Sequence, residues 1–402
     1  MESELVDSLV VTNDTKIIFL IIDGLGGLPM PGKGGTELQV ADLPNLDQLA
    51  SRSACGLLEP IGPGIIPGSG PAHLALFGYD PIKYNIGRGV LSALGIDFDL
   101  RESDVAARVN FATVDREGRI TDRRAGRIDN PTNDRLCARI RQEVNLGNDV
   151  EFFFEREKEY RALFVLRGEE LYSDIEDTDP QQTGVPPRKA RATHRRAERT
   201  AQLVQQFVNQ VERVLAQEER ANMILLRGFA KYQPYKSLKE RFGLNALAIA
   251  NYPMYRGLAR LVGMDLYPMT KNLLEEFEAL EASYDGYDFF FLHIKEPDSR
   301  GEDGNFDAKV AVLEEIDRWV PRLTALQPDV LVVTGDHSTP STFASHSWHP
   351  VPVLLQSPYC RVDHVDRFDE ISCAGGSLGL RPMTHLVPLV LANAKRLTKF
   401  GA

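Results

Sequence analysis

The chain has 402 residues, 43% of them hydrophobic and 26% charged, which is an ordinary globular composition long enough for two domains. Its net charge of -11 and pI near 5.3 argue against a nucleic-acid partner, because such partners are bound mainly by neutralising phosphates with Lys and Arg. A small anionic substrate remains compatible with a locally basic site.

The sequence favours a cytoplasmic location. It contains no apolar run of about 18 residues for a membrane span, and its acidic start differs from the basic start of a signal peptide. We also expect the N-terminal residues to form a loose tail. The cysteines lack CxxC spacing, which fits a reducing compartment; they are Cys55, Cys137, Cys360 and Cys373.

The first predicted elements alternate between strand and helix. Residues 16–22 form an apolar run typical of a buried strand, and Asp23 and Gly24 follow at its end. Residues 44–50 read as a helix. A loop rich in Gly and Pro covers 62–71 and leads into a helix that continues to Leu76.

The pattern changes from about residue 103 and returns near residue 236. The middle contains predicted strands at 105–114, 152–154 and 162–166, a long polar loop at 178–199, and a helix at about 197–217. Alternating strands and helices follow, with strands at 246–250, 289–293 and 330–334. We therefore predict an α/β fold in which 1–102 and 236–402 form a mainly parallel sheet flanked by helices, with a smaller α+β domain inserted at 103–235.

The strand at residues 330–334 ends at Gly335 and then presents Asp336 and His337. Ligands bind at strand ends in open α/β sheets, and a carboxylate beside an imidazole suits Zn²⁺ or Mn²⁺. A turn with a solvated histidine explains the same residues equally well. Ser69, between two glycines at a helix start, is either a nucleophile or phosphate anchor, or simply a helix N-cap.

Candidate metal ligands are more numerous than one ion requires, which favours a two-metal site acting on a phosphoryl group. They are Asp23, Ser69, Asp298, Glu302, Asp336, His337 and His346. Asp298 and Glu302 fall in the acidic segment 296–304, which on its own reads as a surface loop.

Ordered motifs over nearly the whole chain resemble the archaeal-type cofactor-independent phosphoglycerate mutases of the alkaline phosphatase superfamily. The motifs are Ile22-Asp23-Gly24, Pro44-Asn45-Leu46-Asp47, Pro67-Gly68-Ser69, Phe77-Gly78-Tyr79-Asp80-Pro81, Gly87-Arg88-Gly89, Asp122-Arg123-Arg124-Ala125-Gly126-Arg127, Asp177-Thr178-Asp179-Pro180, Leu226-Arg227-Gly228, Thr334-Gly335-Asp336-His337-Ser338-Thr339-Pro340 and His346.

The resemblance implies an alkaline-phosphatase-like core and an enzyme of glycolysis and gluconeogenesis that interconverts 3-phosphoglycerate and 2-phosphoglycerate through a phosphoserine at Ser69. It implies two divalent ions, Mn, Mg, Zn or Co, and no 2,3-bisphosphoglycerate. One ion is expected on Asp23, Ser69, Asp336 and His337, and the other on Asp298, residue 302 and His346. The arginines expected to hold the substrate's carboxylate and phosphate are Arg123, Arg124, Arg127, Arg227 and Arg256.

The chain departs from the family where Asp-x-x-x-His is replaced by Asp298-x-x-x-Glu302. A carboxylate there adds negative charge beside a phosphate site and favours Mg²⁺ or Mn²⁺. His349 could supply the missing imidazole, or could be an exposed loop residue. This leaves two further hypotheses: a metal-dependent hydrolase or phosphotransferase of another phosphoester or phosphonate, and a non-catalytic metabolite-binding relative.

Overall fold

The computed structural model describes residues 2–84, 86–233 and 235–401. The chain divides into two compact units, Met1–Asn85 with Lys236–Ala402, and Ile86–Tyr235. The strands, in chain order, are β1 (Ile17–Ile22), β2 (Ala54–Glu59), β3 (Asp104–Val114), β4 (Ile120–Asp122), β5 (Glu151–Lys158), β6 (Arg161–Arg167), β7 (Met223–Lys231), β8 (Ala246–Ile249), β9 (Asp265–Leu266), β10 (Phe289–Ile294), β11 (Val330–Thr334), β12 (Val351–Gln356) and β13 (Gly379–Pro382).

The helices, in the same order, are α1 (Glu2–Leu9), α2 (Glu37–Val40), α3 (Pro44–Ala50), α4 (Ser69–Leu76), α5 (Arg88–Gly95), α6 (Asn130–Glu143), α7 (Glu198–Leu215), α8 (Leu238–Phe242), α9 (Pro253–Leu261), α10 (Leu273–Ser283), α11 (Glu296–Glu302), α12 (Phe306–Asp317), α13 (Val320–Ala325), α14 (Glu370–Ala374) and α15 (Leu386–Asn393). Short 3-10 helices occupy Ala125–Arg127, Arg195–Ala197, Tyr284–Gly286 and Met383–His385.

The first unit is built on one mainly parallel sheet. Its strand order is β13-β2-β12-β11-β1-β10-β8-β9, with β12 antiparallel to both of its neighbours. Every residue of β1, β10 and β11 is buried, as expected of parallel strands that are covered on both faces and are therefore continuously apolar. The predicted mainly parallel α/β sheet is confirmed.

The second unit is an antiparallel sheet covered by helices. Its order is β4-β3-β6-β5, and β7 also pairs with β3 in the antiparallel direction. The long helix α7 packs an apolar stripe on this sheet. The ring centroids of Phe207 on α7 and Phe164 on β6 are 4.3 Å apart. The core of this unit is separate from that of the first.

The second unit begins earlier than the sequence suggested. We expected the boundary at residue 103, but residues 86–102 belong to this unit because α5 lies directly on β3. A Cβ on Gly89 would be only 2.2 Å from the carbonyl oxygen of Ala106, so the helix and strand backbones touch there. The helix pattern of α5 alone gives no indication of the sheet against which it packs.

Two local predictions were wrong. The expected loose N-terminus is helix α1, anchored because Asp7 forms an ion pair with Arg241 at 3.1 Å. The expected acidic loop at 296–304 is largely helix α11, with Pro297 in its first turn, where the missing N–H is harmless. Among the described residues, no helix combines the length and apolar content needed to cross a membrane.

Candidate active site

The carboxyl ends of neighbouring parallel strands carry the predicted ligands. Strand β1 lies between β10 and β11, and Ile21 is in register with both His293 and Thr334. Asp23 therefore emerges beside the residues that follow β10 and those that follow β11. This is the edge at which open α/β sheets bind their ligands.

Gly24 allows these segments to approach each other closely. Its φ is +66°, and a Cβ at this position would lie 2.8 Å from the Cα of Asp298. Its N–H donates to Oδ1 of Asp336 at 3.1 Å. A residue with a side chain would separate the segments that carry the carboxylates.

The first candidate metal group contains Asp23, Asp336 and His337, all fully buried. Nε2 of His337 lies 3.1 Å from Oδ2 of Asp336 and 3.6 Å from Oδ1 of Asp23. One ligand atom from each residue falls within 4.8 Å of the others. The structure thus brings together three of the four residues that we predicted for one ion.

Ser69, the fourth, is the first residue of α4. Gly68 occupies the N-cap position, so the serine hydroxyl is not used to cap the helix. Its Oγ lies 3.0 Å from Nε2 of His337. The hydroxyl is partly exposed at a helix N-terminus, where N–H groups and the helix dipole favour an anion.

A second candidate group contains Asp298, His337 and His346. Nε2 of His346 is 3.6 Å from Oδ1 of Asp298, and its ring stacks on His337 with centroids 3.7 Å apart. His337 therefore lies within reach of both groups, whereas we had assigned it to one ion. Glu302 is adjacent, with Oε1 3.8 Å from Nε2 of His346, and its side chain is 55% exposed. His349 belongs to neither group, and its Nδ1 lies 3.1 Å from a serine hydroxyl.

Lys295 is a site residue that the sequence did not reveal. It follows β10, and its Nζ lies 3.1 Å from Oδ2 of Asp23 and forms a second ion pair with Asp298. Tyr255 donates to the same Oδ2 of Asp23 at 2.5 Å, and Nε2 of His293 lies 3.4 Å from it. A lysine directly after a buried apolar strand was the available signal.

The buried groups differ in charge. Burial raises the pKa of Asp23, but the hydrogen bond to His293 and the charge of Lys295 outweigh it and hold that pKa well below its usual range. Burial, followed by the charge of Asp23, holds the pKa of Asp336 well above its usual range. Burial keeps the pKa of His337 well below its usual range, so its imidazole is neutral, as a metal ligand must be.

The donor atoms present fit divalent cations. Oδ1 of Asp23 and Oδ2 of Asp336 are buried and have no hydrogen-bond partner among the described residues. Unsatisfied carboxylate oxygens are costly unless a cation neutralises them. Carboxylate oxygen combined with neutral imidazole nitrogen suits Mn²⁺, Mg²⁺, Zn²⁺ or Co²⁺.

The second unit holds two of the predicted arginines through one buried carboxylate. Arg123 binds Asp179 in a bidentate manner, at 3.0 and 2.7 Å. Nε of Arg227 lies 3.5 Å from Oδ2 of the same carboxylate. This arrangement holds both guanidiniums in place.

Arg227 also belongs to a cluster of arginines on one face of this sheet, whose other members, Arg88, Arg108 and Arg161, we did not predict. Arg108 of β3 is directly opposite Arg227 of β7, and Arg161 of β6 is opposite Asn110 of β3. Because positions 108 and 110 are two apart on one strand, the side chains of Arg108, Arg227 and Arg161 share a face of the sheet. Partial desolvation, followed by the charges of Arg108, Arg227 and Arg161, lowers the pKa of Arg88 to about 10. Like charges opposite each other are unfavourable, so this face is suited to an anion.

The remaining predicted arginines lie elsewhere. Arg124 and Arg127 are exposed on a segment in which residues 125–127 all have positive φ. Backbone strain of this kind is typical of functional segments. Arg256 is in the first unit, on α9, and its Nη1 donates to the carbonyls of Ala250 and Tyr267.

Comparisons with known proteins identify the family of the chain. Residues 50–221 match the model of the family described as 2,3-bisphosphoglycerate-independent phosphoglycerate mutase. The chain is 50% identical over 391 residues to a probable mutase of this kind from Thermus thermophilus, with 96% of each chain covered. It is 46% identical to one from Aquifex aeolicus, covering 99% of this chain and 100% of that one.

Solved structures give the same result. The cofactor-independent phosphoglycerate mutase from Thermoplasma acidophilum superposes with a TM-score of 0.72 at 32% identity, over 94% of this chain and 100% of that one. A protein from Pyrococcus horikoshii gives a TM-score of 0.83 at 28% identity, over 97% and 100% of the chains. The resemblance seen in the motifs is therefore confirmed, and the chain belongs to the 2,3-bisphosphoglycerate-independent phosphoglycerate mutase family.

Proposed function

We propose that this protein interconverts 3-phosphoglycerate and 2-phosphoglycerate through a phosphoserine at Ser69, as a step of glycolysis and gluconeogenesis. The observation that carries the proposal is the position of the Ser69 hydroxyl, at a helix N-terminus and 3.0 Å from Nε2 of His337 in a cluster of buried carboxylates. The names of the relatives supply the substrate.

Two divalent ions would be held by the residues described above. Asp23, Ser69, Asp336 and His337 would bind one ion, and Asp298, His346 and Glu302 the other. When bound, the ions would neutralise phosphoryl charge and lower the pKa of an oxygen nucleophile. The ion pairs of Lys295 with Asp23 and Asp298 support the proposal, because these carboxylates already interact with a cation.

Ser69 would carry the phosphoryl group between the two hydroxyls of the glycerate. Its Oγ forms a bond to phosphorus as the bond from phosphorus to the substrate oxygen breaks, and the released hydroxyl takes up the serine's proton. The other hydroxyl then accepts the phosphoryl group and returns a proton to Ser69. Because the enzyme itself stores the phosphoryl group, 2,3-bisphosphoglycerate is not required.

The arginine face of the second unit would bind the carboxylate or phosphate of the glycerate. Arg108 and Arg227 lie opposite each other, and Asp179 orients Arg227. Planar guanidiniums bind such anions through two parallel hydrogen bonds. We propose Arg88, Arg108, Arg161 and Arg227 for this role, with Arg123 as a support through Asp179 and with Arg124 and Arg127 as more exposed contacts.

Glu302 keeps a second function open, hydrolysis or transfer from another phosphoester. It lies 3.8 Å from His346, where it adds negative charge beside the proposed phosphate position. A more negative site would stabilise the phosphate group on Ser69 less well and would favour its transfer to water. Comparison of phosphate release with isomerisation distinguishes the two functions.

Ser69→Ala provides the test. The purified protein, supplied with Mn²⁺, Mg²⁺, Co²⁺ or Zn²⁺, is assayed for conversion of 3-phosphoglycerate and for free phosphate, and metal content is measured. We expect isomerisation by the parent and a loss of at least about 10³-fold in the variant, because the nucleophile is removed. Full isomerisation by Ser69→Ala would refute the phosphoserine route. Phosphate release in excess of isomerisation by the parent would favour the hydrolase.

A further inference from the structure

Lys309 is a fully buried lysine close to the candidate metal ligands. It lies on α12 and is 0% exposed. Its Nζ donates to the carbonyl oxygens of Gly24 at 2.8 Å, Gly26 at 3.2 Å and Thr339 at 2.9 Å. All three N–H groups of the ammonium therefore have partners, which makes its burial tolerable.

These carbonyls belong to the two segments that present metal ligands. Gly24 follows Asp23 after β1, and Thr339 follows His337 after β11. The segments are also joined directly, since the N–H of Thr339 donates to the carbonyl of Gly26 at 3.0 Å. Lys309 thus links both segments from the side of α12.

The hydroxyl of Thr339 extends this connection to the ligands themselves. Its Oγ1 donates to Oδ1 of Asp298 at 2.6 Å and lies 3.0 Å from Nδ1 of His337. A shift of the Thr339 backbone would therefore move the contacts of two candidate ligands. Outer contacts of this kind orient metal ligands and alter metal affinity.

Two carboxylates, the buried Glu37 and the partly buried Glu370, complete the arrangement. Oε1 of Glu37 lies 3.9 Å from Nζ of Lys309 and accepts the N–H of Ser341 at 2.8 Å. Glu370 accepts the N–H of Gly27 at 2.7 Å. The carboxylate of Glu37 thus lies near the ammonium of Lys309. The two carboxylates also hold Gly27 and Ser341, which lie one and two residues beyond the carbonyls that Lys309 contacts.

We propose that Lys309 is a positioning residue that holds the segments after β1 and β11 in the geometry needed to bind metal. This inference rests on the proposed metal-dependent function. It assigns to Lys309 no contact with substrate and no proton transfer. The role is to fix three backbone carbonyls and, through them, Asp23, His337 and Asp298.

The test measures Mn²⁺ binding by titration calorimetry in the absence of substrate, on the full chain. Lys309→Met removes the donors at similar length, and Lys309→Gln keeps two of them. We expect the methionine variant to bind Mn²⁺ at least about tenfold more weakly than the parent, and the glutamine variant to be intermediate. In the activity assay at low Mn²⁺ with 3-phosphoglycerate varied, kcat of the variants should fall while KM for 3-phosphoglycerate changes little.

Arg396→Met is the matched control. Arg396 is also a fully buried cation, and it donates to the carbonyls of Asn13 and Thr15, away from the candidate ligands. The Arg396→Met substitution should lower the thermal unfolding temperature without changing Mn²⁺ affinity. If Lys309→Met does not fold, Lys309→Gln decides the question.

The outcomes separate the two proposals. A parent that binds no Mn²⁺ would overturn the proposed metal centre. A parent that binds Mn²⁺ with an affinity shared by the folded Lys309 variants would overturn the positioning role alone. Equal weakening by Arg396→Met would also overturn it, since the effect would then be one of general stability.

Discussion

Glu276 provides a pH-dependent stability prediction for the first unit. Its side chain is buried on α10, where Oε1 accepts from Asn251 at 2.6 Å and Oε2 has no hydrogen-bond partner among the described residues. Burial, followed by the charge of Glu296, raises the pKa of Glu276 from 4.5 to about 8. The folded protein therefore keeps a proton that the unfolded chain has already lost.

The sign and size of the effect follow from proton linkage. Between pH 4.5 and about 8 Glu276 binds more protons in the folded state than in the unfolded state, so its contribution to stability is greatest below pH 4.5 and falls as pH rises through this window. Each unit of pKa difference corresponds to about 1.4 kcal/mol, which gives an upper limit of about 5 kcal/mol lost by pH 8. Gln at this position is neutral at every pH and retains the acceptor for Asn251.

Glu276→Gln should therefore be nearly neutral at pH 5 and more stable than the parent by about 2–5 kcal/mol at pH 8.5. Urea unfolding followed by tryptophan fluorescence measures this, because Trp319 stacks on Phe277 beside the mutated residue. Glu278→Gln, an exposed position on the same helix, is the matched control and should show no such trend. A stability difference between Glu276→Gln and the parent that is the same at both pH values would refute the reasoning.

Three further predictions concern the site. Gly24→Ala should weaken Mn²⁺ binding and lower the unfolding temperature, because the positive φ and the 2.8 Å approach to Asp298 exclude a Cβ; an unchanged Mn²⁺ titration would contradict this. Glu302→His should shift metal preference toward Zn²⁺ and Co²⁺, measured as the ratio of Zn²⁺ to Mn²⁺ affinities; an unaltered ratio would place residue 302 outside the ligand set. Arg108→Gln should raise KM for 3-phosphoglycerate about tenfold or more while relieving repulsion from Arg227 by about 0.2–1 kcal/mol; an unchanged KM would remove this face from substrate binding.

The sequence determined the local elements of the metal-bearing edge. Continuous apolar runs fixed β1 and β11 as doubly covered strands, and Asp23 and Asp336 followed directly at their ends. The helix beginning near Ser69 was also evident from the Gly and Pro residues before it. These features depend on neighbours a few residues apart, which a single sequence displays.

Only the tertiary structure decided which distant residues meet. Lys309 carries no local pattern that marks it as a neighbour of Asp23, and the position of Lys295 after a buried strand does not reveal which residues it meets, because both lysines contact the segment after β1, which is far away along the chain. The arginine face depends on the register that sets Arg108 opposite Arg227. Register and packing arise from pairing between remote segments, and spacing along one chain does not encode those pairings in readable form.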